Sequence, residues 1–178
     1  MAQTDSTATI GQRNIDALFG AVYARLKGMA GRRLAAGARG TLDTTALVHE
    51  LYLRLNSADP PGFEHPAQFF AYAARAMRHL LSDRARNRMR LRAGGDWVRV
   101  TLTDGEAPLA LESAAQVLDL ERALQLLEAT DERAARVVEL RYFAGLTLEQ
   151  VADTLALNRS TIDRDWRYAR AFLRSELG

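Results

Sequence analysis

Residues Leu146 to Leu173 read LTLEQVADTLALNRSTIDRDWRYARAFL, and the fold turns on how this stretch is arranged. Thr147 and Gln150, three residues apart, form a capping box, while Leu146 and Val151 are spaced to clasp the first turn as a hydrophobic staple. A second helix follows after a short turn, with Asn158 as its cap and Leu157 and Ile162 as its staple. Ile162, Trp166, Ala169 and Leu173 recur at helical spacing and predict one buried stripe. Ser160, Arg164 and Arg167 fall on the other side, flanked by Arg159, Asp163 and Arg170. Two short helices joined by a tight turn, the second apolar on one side and arginine-rich on the other, predict a DNA-binding helix-turn-helix. A charged outer face alone is common in helical domains. Here, however, guanidinium forks and small polar groups at the start of the second helix suit base edges, and the later arginines suit phosphates. Ala156 occupies the turn position where such motifs often carry glycine; at positive φ alanine costs about 1 kcal/mol relative to glycine.

Working outward, the 178 residues have room for one ordinary domain or two small ones. Charge is nearly balanced, 24 basic against 22 acidic residues, with Lys27 the only lysine. Its distribution is more informative than its sum. Seven arginines and the single acid Asp83 lie between Arg75 and Arg92, whereas Asp104 to Glu132 holds eight acids and one arginine, Arg122. The absence of cysteine excludes a disulfide framework and a thiolate metal site. His49, His65 and His79 are scattered and lack the pairing of a metal site, so no metal or other cofactor is expected. No Gly-rich phosphate loop and no nucleophile with a neighbouring base can be found, which argues against an enzyme. The start, MAQTDSTATIGQ, has no basic segment followed by an apolar run, and no stretch reaches membrane-spanning length. A soluble cytoplasmic protein is expected.

In chain order, residues 1–12 read as a frayed tail. Ile15, Leu18, Phe19, Val22, Tyr23, Leu26 and Met29 then follow the period of an amphipathic helix. Asp43, Thr44 and Thr45 offer caps for a second helix with Leu47, Val48, Leu51, Tyr52 and Leu55 inward. This assignment turns His49 and Leu53 outward beside Glu50, as at the start of a partner interface. Three of the four prolines lie in SADPPGFEHP, residues 57–66, which must be a loop, and Pro66 suits the first turn of the next helix. In that helix Phe70, Ala73, Met77 and Leu81 form the inner face, while Tyr72, Arg75, His79, Arg86 and Arg90 share the opposite one. Arginines neutralise phosphates and flat rings stack on exposed bases, so this stripe fits nucleic acid. Partial self-pairing through Asp83 and Arg86 is expected, but one acid cannot pair seven arginines. Gly94 and Gly95 stop the helix, and residues 96–113 have turn and β-type residues without helical period, as in an interdomain linker. Helices resume near Ala114, with Val117, Leu120, Leu124 and Leu127 inward. Another helix follows a Thr130 cap, burying Ala134, Val137, Val138 and Leu140 and ending at Gly145.

Three blocks, in this order and spacing, resemble the extracytoplasmic-function sigma factors, two-domain initiation subunits of bacterial RNA polymerase. TLDTTALVHELYLRL resembles the family's core-polymerase-binding helix, and FFAYAARAMRHLLSDRAR its promoter-melting and recognition helix. RVVELRYFAGLTLEQVADTLALNRSTIDRDWRYARAFL is similar to its C-terminal helix-turn-helix. The resemblance covers nearly everything after the tail. It implies an all-α fold of two small helical domains, 13–95 and 114–178, joined by a flexible linker over 96–113. Also implied are no catalytic activity and two partners, core RNA polymerase and promoter DNA in both double- and single-stranded form; whether an anti-sigma protein is a third is left open. The loop from Pro61 to Glu64, including Phe63, is implied to lie near a base of the melted element. Three positions depart from the family's usual residues: Ala46 for a common acid, His49 for a frequent glutamine and His79 for a common asparagine.

On this reading Arg159, Ser160, Asp163 and Arg164 enter the major groove, with Arg167 and Arg170 toward phosphates. Tyr72, Arg75, His79, Arg86 and Phe63 face the melted strand, and His49, Glu50 and Leu53 face core polymerase. The alternative, a stand-alone dimeric helix-turn-helix regulator, requires an oligomer interface, and no heptad seam is present.

Overall fold

A helix needs a start that satisfies its first N–H groups, and the clearest starts in this chain are those that order its C-terminal half. The computed structural model describes Gly20 and residues 44–55, 63, 65–90, 100–102, 109–111 and 113–178. Among the described residues there are six helices: α1 (Thr44–Leu55), α2 (Pro66–Arg90), α3 (Ala114–Thr130), α4 (Glu132–Tyr142), α5 (Leu148–Leu155) and α6 (Arg159–Leu177). Two short strands, β1 (Val100–Leu102) and β2 (Leu109–Leu111), precede α3. The fold is all-α. The tail, the caps at Asp43, the first amphipathic helix apart from Gly20, which is helical, and the stop at Gly94 and Gly95 lie outside the described residues.

Pro66 opens α2, where its missing N–H removes no intrahelical bond. Ala73, Met77 and Leu81 are buried as their spacing predicts, but the aromatic anchor of this face is Phe69, fully buried, while Phe70 is half-buried at the margin. Phe69 stands one turn before Ala73, and Phe63 packs edge-on against its ring at 5.4 Å. α1 packs on α2 through the fully buried Leu51.

Ser113 caps α3 by accepting from the Gln116 N–H, and Val117, Leu120, Leu124 and Leu127 are all buried. The next start is corrected by one residue: Asp131, not Thr130, caps α4. Its carboxylate accepts from the Ala134 N–H at 2.9 Å, while the Thr130 hydroxyl donates back to the Leu126 carbonyl at 2.8 Å. Thr130 therefore completes α3, and the Asp131 side chain takes the orphan N–H of Ala134 at the start of α4.

Within the segment expected to link two domains, β1 and β2 pair antiparallel, with Val100 opposite Leu111 and Leu102 opposite Leu109. Alternation puts Leu102 and Leu111 into the core, and β2 rests on α3. α2 runs along α3 and α4 and touches α5, so the N-terminal and C-terminal helices share one continuous core.

Candidate nucleic-acid interface

The helix-turn-helix is built from the capping signals upward. At α5 the Thr147 hydroxyl accepts from the Gln150 N–H, and the Gln150 side chain accepts from the Thr147 N–H, closing the capping box over the buried staple of Leu146 and Val151. Glu149, in the first turn, has its carboxyl held below the usual range by its own backbone N–H, by the Thr147 hydroxyl and by the nearby Arg159. α5 ends as the Leu157 N–H bonds the Ala152 carbonyl and the Ala156 N–H that of Asp153, a Schellman closure.

That closure puts Ala156 at φ 53°, ψ 43°, in the left-handed region, the strain anticipated for alanine at the turn. Ala156→Gly is expected to raise stability by about 1 kcal/mol in urea unfolding without altering DNA affinity. An unchanged midpoint would show that this turn is unstrained.

Asn158 stands at the N-cap of α6 but makes no side-chain cap bond. Its carbonyl already takes the Thr161 and Ile162 N–H groups, at 3.0 and 3.2 Å, so a usual recipient of the cap is occupied. Ile162, Trp166, Ala169 and Leu173 are buried together. Trp166 meets Tyr142 at 5.3 Å, with the Arg141 and Arg170 guanidinium groups 5.4 and 5.8 Å from its ring centroid. Asp165, also buried, accepts two bonds from Arg133 on α4, at 2.5 and 3.0 Å, which fixes the rotation of α6.

The opposite face carries Ser160, Arg164 and Arg167, all exposed, with exposed Tyr168 one turn beyond Arg164. The Arg164 side chain is 70% exposed, its Nε 3.9 Å from the Asp165 carboxylate. Arg159 and Asp163 behave differently from their neighbours, because Arg159 bonds Glu149 of α5 at 2.9 Å and Asp163 one turn on at 3.0 Å. This bridge ties the start of the second helix to the first. Arg170 sits about 120° around the helix from Arg164. It stacks on Trp166 beside a cavity of about 550 Å³ between β2 and the end of α6.

On α2, Tyr72, Arg75, His79, Arg86 and Arg90 are exposed along one stripe. Phe63 lies at its N-terminal end, its ring 5.6 Å from that of Tyr72. Arg86 pairs with Asp83 at 2.9 Å, and Arg75 reaches across to Glu128 of α3 at 3.0 Å. On α1, His49 and Leu53 are exposed, while Glu50 is drawn toward α2 by Arg84 at 3.0 Å.

The largest polar feature was not anticipated. Arg78, 2% exposed, donates to Glu121 of α3 at 2.9 and 3.1 Å, to Glu139 of α4 at 2.7 Å and to Glu128 at 3.3 Å. Ser82 and Gln125 complete the shell of Glu121. Burial opposes the charge on Arg78, but the bonds and charges of Glu121 and Glu139 outweigh it and raise its pKa well above the ordinary guanidinium range. The signal was positional: Arg78 lies beside Met77 and Leu81 on the inner side of α2, and Glu139 sits between Val138 and Leu140.

Among the described residues no three His, Cys, Asp or Glu side chains gather as a metal ion requires, and no helix is long and apolar enough to cross a membrane. No curated protein and no solved structure matches the chain. The family model described as ECF sigma factor matches residues 8–178, from the start of the chain's N-terminal region through both helices of the helix-turn-helix. With the arginine face of α2 and the helix-turn-helix of α5 and α6 both in place, that match makes the chain a member of the extracytoplasmic-function sigma factors, with a sigma factor's role in transcription initiation and RNA polymerase and promoter DNA as its partners.

Proposed function

We propose that this sigma factor divides its work between an N-terminal unit, 13–95, and a C-terminal unit, 114–178, linked by 96–113. His49, Glu50 and Leu53 of α1 dock on core polymerase. Arg159, Ser160, Asp163 and Arg164 sit at the major groove of the upstream promoter element, with Arg167 and Arg170 toward phosphates. Tyr72, Arg75, His79, Arg86 and Phe63 hold the melted strand, so that stacking and phosphate contacts offset part of the cost of unpairing. Attachment of both units to one polymerase raises the effective concentration of each site for its element.

The observation that carries this reading is the exposed face of α6, where Arg164 projects from a helix whose rotation is fixed by Trp166 and by the Arg133–Asp165 pair. An exposed guanidinium on a helix packed through its opposite face is suited to bidentate contact with a guanine. Transcription reconstituted with core polymerase, with start sites mapped, defines the promoter; holoenzyme affinity is then measured on its single-base variants at two salt concentrations. Arg164→Ala is expected to cost about 1–3 kcal/mol and to relax preference at one base pair. Arg167→Ala is expected to weaken all variants alike and to flatten the salt dependence. A uniform loss from Arg164→Ala across the panel would remove its base-reading role.

A further inference from the structure

Arg75 and Arg78 of the basic run meet Glu121 and Glu128 of the acidic run that follows it in sequence. Glu128 of α3 bridges Arg75 and Arg78 of α2, at 3.0 and 3.3 Å. Its two neighbours in this contact differ in exposure: Arg78 is buried among Glu121 and Glu139, whereas the Arg75 and Glu128 side chains are 49% and 36% exposed. A carboxylate and a phosphate present the same charge-assisted acceptors to a guanidinium. One carboxylate therefore occupies Arg75 at the edge of the contact, within reach of solvent, while the buried arginine anchors the interface behind it.

We propose that Glu128 is an internal phosphate mimic that masks Arg75 in the free chain, so that a nucleic-acid strand reaching α2 must displace the edge of α3. The inference rests on the reading of α2 as the strand-binding helix. It goes further by making the C-terminal unit a competitor for that helix. The acidic run thereby gains a role that the helix-turn-helix alone does not give it. Displacement requires only the rim pair to break first, and exposed pairs of this kind are weak enough for a phosphate to replace.

The test uses the full chain and a fluorescein-labelled oligo(dT), with binding followed by anisotropy at low salt. Glu128→Gln is expected to tighten binding about fivefold, the equivalent of releasing one exposed ion pair. Glu132→Gln, which removes the same charge from an exposed position on α4 that pairs with Arg136 of its own helix, is expected to leave binding unchanged. Adding Arg75→Ala to Glu128→Gln is expected to abolish the gain, and circular dichroism is expected to show wild-type helicity for each variant. If Glu128→Gln binds no tighter while Arg75→Ala alone weakens binding, the mask is wrong and the strand-binding face stands. If Arg75→Ala has no effect in either background, α2 does not hold the strand through Arg75 and both readings fall. A gain that survives the added Arg75→Ala, or that Glu132→Gln reproduces, likewise overturns the mask.

Discussion

Arg78→Ala is expected to lower the folding stability of this chain by about 3–5 kcal/mol, the usual loss when one member of a buried ion-pair network is removed. The magnitude comes from what is left behind. Glu121 and Glu139 are each 5% exposed, and without Arg78 two carboxylates remain in the interior with their principal donor gone. The Ser82 hydroxyl and the Gln125 amide still reach Glu121, but neither carries charge. Adding Glu121→Gln to Arg78→Ala is expected to recover part of the loss, because an amide is less costly to bury than a carboxylate.

The same network sets an acid limit. Burial alone would raise the Glu121 pKa, but the bonds and charge of Arg78, helped by Ser82 and Gln125, hold it below its unfolded value near 4.5. Folded protein then binds fewer protons at this site than unfolded protein. Its stabilisation is complete above that value and is lost as pH falls through the lower folded pKa. In Arg78→Ala only Ser82 and Gln125 still oppose the effect of burial, so the loss of stability on acidification that Glu121 contributes is expected to shrink. Urea unfolding at a series of pH values checks both statements; an Arg78→Ala variant within about 1 kcal/mol of wild type at neutral pH would contradict them.

Trp166→Ala is expected to have an effect of similar size, about 3–5 kcal/mol, through lost burial and the cavity it leaves. Trp166 is 3% exposed, packed against Tyr142, with the guanidinium groups of Arg141 and Arg170 5.4 and 5.8 Å from its ring centroid. Removing the indole also removes the ring over which those cations are held, a further contribution of roughly 0.5–1 kcal/mol for the partly exposed Arg170 and about 2 kcal/mol for the buried Arg141. Trp166→Phe keeps a ring and is expected to lose less than half as much. Because Trp166 lies on the face opposite Arg164, the Ala variant is expected to lose upstream-element binding by unfolding α6, in parallel with its helical signal. A folded Trp166→Ala domain that still fails to bind would place Trp166 at the DNA and not in the core.

What could be read in the sequence was local or periodic. The capping box at Thr147, the staple of Leu146 and Val151, the buried stripe of α6 and the left-handed position of Ala156 each depend on residues within a few places of one another, and all are found. Asn158 and Thr130 show where such reading is less sharp. Several polar residues near a helix start compete, and the choice depends on which donors are already taken. The β1–β2 pair escaped because three-residue strands are too short to show a period. Arg78, Glu121 and Glu139 escaped for a different reason: a charge on an apolar face looks like a defect until its partners are known, and these partners are 43 and 61 residues away. The stripe of α2 was legible as a face, but not the reach of Glu128 onto Arg75.

Asp131 is both the last cap of α3 and the first cap of α4, its N–H bonded to the Leu127 carbonyl and its side chain to the Ala134 N–H. A joint of one residue, pinned from both sides, has no slack. α4 in turn grips α6 through Arg133 and Asp165. α3, the joint, α4 and α6 are thus tied in series, from the arginines of α2 at one end to the helix that carries Arg164 at the other. Displacing α3 from Arg75 and Arg78 of α2 therefore also displaces the face of α6 that carries Arg164.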